Sequence, residues 1–598
     1  ELWSYRTTVG FTGGLWQGWN YDLSGQRSKT SLSQVYRNDF SVTRLKRALD
    51  VVDPDGAGPL TPVCRSATAA GGNLDPACVP YNLWTLAGAT GGFTGTEVGG
   101  VTAAALNYLQ VPLLQQASEV QTVVSGNIAG DLGVWGFKSP WADDAVKTVL
   151  GAEIRRDEVH DVVDNSFSTG DGAGQGGPTK ATEGATDLYE LFSELEVPLV
   201  QNVWLAKQIK LDGAYRYASY DNHIHTHTYK IGAEWAPTDD VRLRASYQRA
   251  VRAANVLELF APQAQGLFNN GADPCSVVSA GAPAVLAANC ALTGVPLLVG
   301  GRPALVSPAG QYNALGGGNP NLKPEIGRTF TAGFVFTPTF APGLVMSVDY
   351  FDIRVNKAIG ALTGAQILNA CYSLNVVSQC ALIHRSPSGS LWLGNAGFVT
   401  TLNQNLGGLK TSGVDLSAAY SYNLADAGWG NWGSLNASIV GTWLNTLISI
   451  PANGNPVFDC AGFYGFAGAG AGHEDCGTPN PEWRHKFRLT WDTPWHFDLT
   501  GTWRYYGGVE RHGADTTVIN GGAGEFINRS IDAFNWFDLE TNVHVTKNAT
   551  FRLGVNNIMD SDPPTFTYNP AGTVNGNTFP QVYDAFGRYI FAGLTIDL

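Results

Sequence analysis

His223, His225 and His227 alternate along one stretch, so in an extended backbone their imidazoles share a face and two of them could reach one metal ion. The plainer alternative is a polar loop tip, since no carboxylate on that face completes a ligand set. A second group is charged. Arg242 and Arg244, with Glu234, Lys486, Arg488, Asp538, Glu540 and Arg552, stand at alternate positions of amphipathic segments. They could hold or conduct a charged ligand, or pair with one another across neighbouring strands. A third group is aromatic. Tyr81, Trp84, Trp392 and Tyr464, with Phe463 and Phe466, could stack on a sugar or a chelate, or pack inside loops. Asp459, Glu474 and Asp475 lie near Cys460 and Cys476 and could bind calcium. No Ser/His/Asp set or phosphate-cradling glycine loop stands out, so the sequence reads as a non-enzyme without a cofactor.

The eight cysteines fall as four close pairs, Cys64/Cys78, Cys275/Cys290, Cys371/Cys380 and Cys460/Cys476, each inside a segment that reads as loop. None has the spacing of a closed zinc site. Four local disulfides in an oxidising compartment are expected, each contributing about 2–4 kcal/mol. The net charge of −14, with no long basic cluster, excludes a nucleic-acid partner.

The elements that position these groups are strands. The chain has 598 residues with Gly 72 and only 15% charged residues. Mean hydropathy is near zero and no long apolar run is free of turn formers, which excludes transmembrane helices. A secreted all-β protein would share this composition, and the patterning decides between them. Trp3, Tyr5, Val9 and Phe11 open a strand, and Tyr229, Ile231, Ala233 and Trp235 oppose Lys230, Gly232, Glu234 and Ala236 in another. After the turn Pro237–Asp240, Val241, Leu243, Ala245 and Tyr247 oppose Arg242, Arg244, Ser246 and Gln248. About 17 such strands are expected by this reading. Residues 31–117 read as irregular, with a short helix near Arg44–Leu49. Short turns alternate with long loops through the clear part of the chain, and all four cysteine pairs fall in the long ones. The expected fold is therefore all-β, a transmembrane antiparallel β-barrel with short periplasmic turns and long extracellular loops, surrounded by outer-membrane lipid. Trp235, Trp491, Trp495 and Trp503 read as an interfacial girdle near the short turns.

Several segments carry a family resemblance. Asn319-Pro320-Asn321-Leu322-Lys323-Pro324-Glu325 resembles the "NP-x-L-x-PE" segment of TonB-dependent outer-membrane receptors. Arg252 to Phe260 is similar to their "RAP-x-LxELF", with Ala254 where Pro is usual, and Thr411 to Leu416 to their "T-x-GVDL". Val555 to Asp560 resembles "x-NNLFD" and Gly587-Arg588-Tyr589 the closing "GR-x-Y" strand, which here ends in Leu598 where the family has Phe. The resemblance implies uptake of a scarce nutrient, a carbohydrate or metal chelate, energised by TonB through an N-terminal box and a plug. It also implies insertion by the barrel-assembly machinery. Neither plug nor box is found in 1–598, which reads as the barrel domain alone, incomplete at its N-terminus. Counting strands back from Leu598 makes the first one run downward, so a 22-stranded barrel would place five strands before it. The alternative is a passive diffusion pore without a plug.

Overall fold

The computed structural model describes residues 1–596 apart from 17, 54–61, 82–101, 176, 278–283, 296–304, 451–456, 466–475, 513–529 and 566–576. Period-two alternation makes each strand amphipathic, and the strands assemble edge to edge into one sheet. In chain order they are β1 (Leu2–Gly14), β2 (Asn20–Phe40), β3 (Gln110–Asp131), β4 (Lys147–Val163), β5 (Thr182–Val203) and β6 (Ala206–Tyr220). There follow β7 (His225–Ala236), β8 (Val241–Arg252), β9 (Glu325–Phe336), β10 (Leu344–Asn356), β11 (Gly408–Asn423) and β12 (Ser434–Ile450). The last are β13 (Trp483–Asp492), β14 (Phe497–Tyr506), β15 (Phe534–Thr546), β16 (Ala549–Asn556) and β17 (Tyr589–Ile596). These 17 form the wall; a two-residue strand, Phe458–Asp459, adds to β12. Every strand pairs antiparallel with its sequence neighbour. Among the described residues, β1 and β17 each have one partner.

The connections at one end are short, among them 204–205, 237–240, 493–496 and 547–548. Those at the other are long, among them 41–109, 253–324, 357–407 and 557–588, with 221–224 the short exception. Two expectations need correction. The irregular stretch 31–117 is shorter, because β2 continues to Phe40 and β3 starts at Gln110. Those ends carry Gln34, Arg37, Gln115 and Gln116, which interrupt the alternation, while Val111 and Leu113 turn to a small buried cluster with Phe167. β6 is the strand that the sequence reading leaves unassigned, although Ile209, Leu211, Tyr215 and Tyr217 alternate there with Lys210, Asp212 and Arg216.

The wall has no interior core. Its apolar residues face outward, Ile231 being 70% exposed, with Leu191, Leu195, Leu539 and Leu594 likewise exposed. In water such a band would drive aggregation, and against hydrocarbon it is solvated. Among the described residues no helix is long and apolar enough to cross a membrane; the strands cross it. Trp16, Trp135, Trp204, Trp429, Trp432 and Trp495 gather at the short-turn end, where Trp432 meets Trp495 edge-on at 5.3 Å. Trp235 donates Nε1 to the Leu205 carbonyl at 2.9 Å. Trp503 departs from the expected girdle. It lies toward the other end of β14, edge-on to His485 at 4.5 Å and bonded to Asn535.

Burial of apolar side chains is concentrated instead in the long loops. Loops 253–324 and 357–407 share one core of Tyr312, Leu362, Ile367, Leu368, Leu391 and Val399. Around it lie the helices Ala284–Leu292 and Gly364–Tyr372 and a four-stranded sheet. All four expected disulfides form, Cys64–Cys78, Cys275–Cys290, Cys371–Cys380 and Cys460–Cys476. Their surroundings are more ordered than the plain loop expected from sequence. Cys275–Cys290 and Cys371–Cys380 both belong to the cap core, with Cys290 and Cys371 on its helices. Cys64 is buried and ends a two-residue strand, Val63–Cys64, while its partner Cys78 is half-buried and irregular. Cys460 is buried and Cys476 half-buried, in the loop after β12. Both of these bridges therefore tie loops outside the cap.

Arg385 is 1% exposed and Asp273 0%, and they bond through two N–H donors at 2.6 and 2.9 Å. Arg385 also donates to the Tyr372 hydroxyl at 2.9 Å, and that hydroxyl meets Thr293 Oγ1 at 2.7 Å. A buried ion pair of this kind is costly to break from one side, because the remaining charge has no solvent. Arg385→Ala should therefore destabilise the cap by about 3–5 kcal/mol. Limited proteolysis should show faster cleavage within 253–407, while the heat-modifiable gel shift of the barrel stays unchanged.

Candidate functional site

The site is the mouth where the long loops leave the wall, together with the lumen beneath. Arg252 ends β8 and Glu325 begins β9, and their register makes them partners. The Arg252 guanidinium donates to Glu325 at 2.7 and 2.8 Å and to Glu258 at 3.0 and 3.1 Å. Glu258 in turn closes a capping box with Asn255 at the start of the helix Val256–Phe260. Glu325 Oε1 also accepts the Ile359 amide at 2.6 Å, which ties in the next loop. Between them, the Asn319 amide reaches the Glu258 carbonyl at 2.9 Å, its side chain donates to the Asn403 carbonyl, and Leu322 is buried. Lys323 and Asn405 exchange two bonds, at 2.8 and 2.6 Å. The segment with two prolines is thus a rigid clasp holding both cap loops on the wall.

The other motif residues work similarly. Gly413 sits at a register shift between β11 and β12, and a Cβ there would lie 2.4 Å from the Trp443 carbonyl oxygen. Asn557, fully buried with φ 51, donates its amide to Asp538 at 2.8 Å and exchanges bonds with Ser561. Arg504 spans Asp538 and Asp584, the latter in the last long loop, at 2.8 and 2.6 Å. The Arg588 amide donates to Asp560 at 2.8 Å.

Below the mouth the lumen face is charged, and most of the charge is paired. On β4 to β7, Glu196 bridges Lys147 and Lys210, Lys210 reaches Glu234, Lys230 meets Asp212 at 2.9 Å and Arg216 meets Glu190 at 2.9 Å. Much of this patch lines an open recess of about 840 Å³. Of the expected lumen residues, Arg244 is held by both oxygens of Asp349 at 2.8 and 2.6 Å, and Arg552 by Glu540 at 2.7 Å. Arg242, Lys486 and Arg488 make no ion pair with described residues. Arg484, Lys210 and Arg504 belong to the same lumen face and escaped notice, although each occupies an alternating polar position.

The remaining candidates are dispersed. His225 and His227 start β7, on the outer face that also carries Tyr229 and Ile231. Each Nδ1 meets a tyrosine hydroxyl on β6, Tyr217 at 3.1 Å and Tyr215 at 2.8 Å. His223 lies in the preceding turn at φ 62. The expected shared face therefore belongs to the outer belt, and among the described residues no three His, Cys, Asp or Glu side chains form a metal cluster. Tyr464 is fully buried against Phe579 and Trp536 in a loop core, so it offers no ring face to a ligand. Trp392 packs beside the cap core. Asp459 caps the Leu447 and Ala461 amides, while Trp84, Phe466, Glu474 and Asp475 lie outside the described residues. Tyr81 is half-buried in loop 41–109, its amide bonded to the Ala48 carbonyl. That loop is clamped by Asp75, which accepts from Arg47 at 2.8 Å and from the Tyr108 hydroxyl at 2.7 Å. The Cys78 amide donates to the Asp75 carbonyl at 3.1 Å, so the Cys64–Cys78 bridge braces the clamp and is no part of the mouth.

A family model described as "TonB dependent receptor-like, beta-barrel" matches residues 3–558. The chain belongs to that family. It is a family of bacterial outer-membrane receptors, not enzymes. Comparison with curated proteins finds no match. Among solved structures, the ferric enterobactin receptor PfeA of Pseudomonas aeruginosa superposes with TM-score 0.54 at 14% identity, over 99% of this chain and 61% of that one. The siderophore receptor PirA of Acinetobacter baumannii gives TM-score 0.53 at 14% identity, over 99% and 62%. The chain thus spans about three fifths of these receptors, and at this identity they share its fold.

Two outcomes test the mouth. Arg252→Ala leaves Glu258 and Glu325 facing each other without a cation. The guanidinium is nearly half exposed, so the expected loss is about 1 kcal/mol, seen as roughly fivefold faster hydrogen exchange at the Ile359 and Asn255 amides. The loop clamp should respond to pH at both ends. The Tyr108 hydroxyl and Arg47 hold the Asp75 carboxyl below its usual value, so that contribution is present above about pH 4 and is lost as pH falls through the lower folded value. Burial, helped by Asp75, pushes the Tyr108 phenol up to about 12. Its contribution is complete below about pH 10 and is lost as pH rises through that folded value. Protease accessibility of 41–109 should be lowest between these limits, and Tyr108→Phe should abolish the alkaline limb.

Proposed function

We propose that this chain is the barrel of an outer-membrane receptor that captures a scarce nutrient at the cell surface and imports it with energy from TonB. The observation that carries the reading is the clasp. Two of the family's motif segments, Arg252–Phe260 and Asn319–Glu325, meet in the Arg252–Glu325–Glu258 network, which fixes a disulfide-bonded cap where the long loops leave a charge-lined wall. A pore for passive diffusion has no need of a structured cap held over its opening. We further propose that strands outside this sequence, five by the count given above, close the wall between β1 and β17, whose outer edges lack partners among the described residues. The plug and the TonB-binding box would come from the same part of the protein, and the barrel-assembly machinery would insert the whole. A metal chelate is the first ligand class to try, because the similar structures are siderophore receptors; a carbohydrate is the second.

The natural full-length protein should be expressed in cells lacking competing receptors, and uptake of radiolabelled ferric enterobactin and of maltohexaose followed with and without a protonophore. Uptake of one probe that stops on de-energisation, or on loss of TonB, is expected. Uptake that continues unchanged in de-energised cells would replace the receptor with the passive pore.

A further inference from the structure

The outer face of the wall changes character at one height. On the lumen side of β8 to β10, Ser246 meets Thr331 and Arg244 holds Asp349, so the intervening positions face outward. From the short turns toward the mouth these positions stay apolar as far as Tyr247 on β8 and Phe330 on β9, both exposed. The next outward positions are Arg249 and Arg328, and the sheet sets them directly opposite each other. Arg328 is in turn opposite Arg354 on β10, and Arg354 is opposite Lys410 on β11. Four neighbouring strands thus carry four cations in a single row. At about 4.8 Å per strand the row is roughly 14 Å wide. It ends at uncharged residues, Tyr229 on β7 and Ile448 on β12.

The wall compensates this row poorly. Asp352 is the one acid among the outward positions of β8 to β11, and Arg354 of the same strand takes it at 2.8 and 3.1 Å. Asp459, two strands from Lys410, accepts the Leu447 and Ala461 amides. Arg249 donates to the His227 carbonyl, which leaves its charge unmatched. Arg328 and Lys410 make no ion pair with described residues. Like charges directly opposite destabilise a sheet, and anions from outside the wall offset that repulsion. The level of the row identifies their source. Arg249 lies eight residues beyond Val241 at the short-turn end, about 27 Å along the strand and roughly 20 Å in height once strand tilt is included. The apolar band of such barrels is about 25 Å tall. The cations therefore stand where hydrocarbon gives way to headgroups, and three residues further on Arg252 enters the clasp.

We propose that Arg249, Arg328, Arg354 and Lys410 form a binding site for an anionic lipid of the outer leaflet, one whose headgroup carries at least two phosphates spaced along the row. The site lies on the outside of the wall, beneath the loops of the cap, and holds whichever nutrient the receptor imports. Guanidinium groups meet phosphate oxygens in pairs. Two phosphates on one molecule engage cations on different strands at once, which a singly charged headgroup cannot do. The acyl chains lie below, against the outward rings of Tyr247 and Phe330.

The test uses the natural full-length receptor in detergent, with native mass spectrometry reading bound lipid. The probes are bisphosphorylated lipid A, phosphatidylglycerol and phosphatidylethanolamine, with inorganic pyrophosphate as the soluble anion. Lipid A should bind most tightly, phosphatidylglycerol more weakly and phosphatidylethanolamine least. The triple variant Arg249→Gln, Arg328→Gln, Lys410→Gln should weaken lipid A binding about tenfold, and Arg249→Lys, Arg328→Lys should stay within about threefold of the parent. Removing equal charge at the short-turn end, with Lys138→Gln, Lys207→Gln, Lys547→Gln, should leave it unchanged. The heat-modifiable gel shift reports folding of each variant. If the triple variant does not fold, Arg328→Gln alone decides, with a loss of about threefold expected. Phosphatidylethanolamine bound as tightly as lipid A would overturn the site, as would a folded triple variant that binds normally. An equal loss in the short-turn variant would reduce the effect to net charge and overturn it too. Pyrophosphate bound as tightly as lipid A would make the row a site for a soluble anion instead.

Discussion

Hydrocarbon offers no hydrogen-bond partner to a peptide group, and every other feature of this protein adjusts to that fact. A strand crossing lipid must be paired on both sides, which turns the chain into one continuous antiparallel wall whose β1 and β17 each have one partner among the described residues. The wall in turn has two solvents. Its outer face needs apolar side chains and its lumen face polar ones, so wall residues join a buried apolar cluster only near the loop ends, as Leu113 and Trp536 do. Charges on the wall are met by neighbours on the same strand, one or two strands away, or in an adjoining loop. Thus Arg244 reaches Asp349 across β9 and Arg504 lies over Trp536 while holding Asp538 on the next strand.

A wall without a core cannot by itself fix the loops that leave it. Loops as long as 253–324 and 357–407 lose much conformational entropy on ordering, and the compensation is local. Two disulfides, a shared apolar core and the buried Arg385–Asp273 pair make the cap a small domain in its own right. It still has to be oriented. The clasp does this at the boundary between wall and water, where Arg252 reads the end of β8, the start of β9 and the first helix of the loop together. The motif residues Arg252, Glu258, Asn319 and Glu325 are joints between the barrel and the cap.

What the sequence could show follows from the range of each interaction. β7 and β8 are legible because both faces alternate without interruption, and the disulfides because each pair is close in the chain. What each disulfide braces is another matter, since nothing near Cys78 in sequence shows that Asp75 meets Tyr108. The extended ends of β2 and β3 are not legible, because Gln34, Arg37, Gln115 and Gln116 break the alternation and Leu113 packs against Phe167, which only the fold brings near. His225 and His227 share a face as expected, but the side of the wall it occupies depends on a register with Tyr215 and Tyr217 that spacing alone does not define. Tyr464 looks like any loop aromatic until the chain returns with Phe579, more than a hundred positions later. Arg244 and Arg488 are equivalent by pattern. Only the sheet shows that one meets Asp349 and the other faces Ser438 and Thr502.

That last difference bears on what the lumen can hold. Unit charges about 7 Å apart repel by only about 0.6 kcal/mol in water, and salt reduces this further. A column of three cations is therefore inexpensive while the lumen is wet. The situation changes when an occupant displaces the water. At an effective dielectric constant near 20 the same repulsion rises to about 2 kcal/mol per neighbouring pair, and each cation also loses hydration. Carboxylates placed against such cations, from the wall or from another segment of the protein, offset that cost. On β4 to β7 carboxylates of neighbouring strands already provide this compensation. Arg484, Lys486 and Arg488 on β13 have no such ion pair with a described residue, so their charge is met by water or by whatever stands in the lumen.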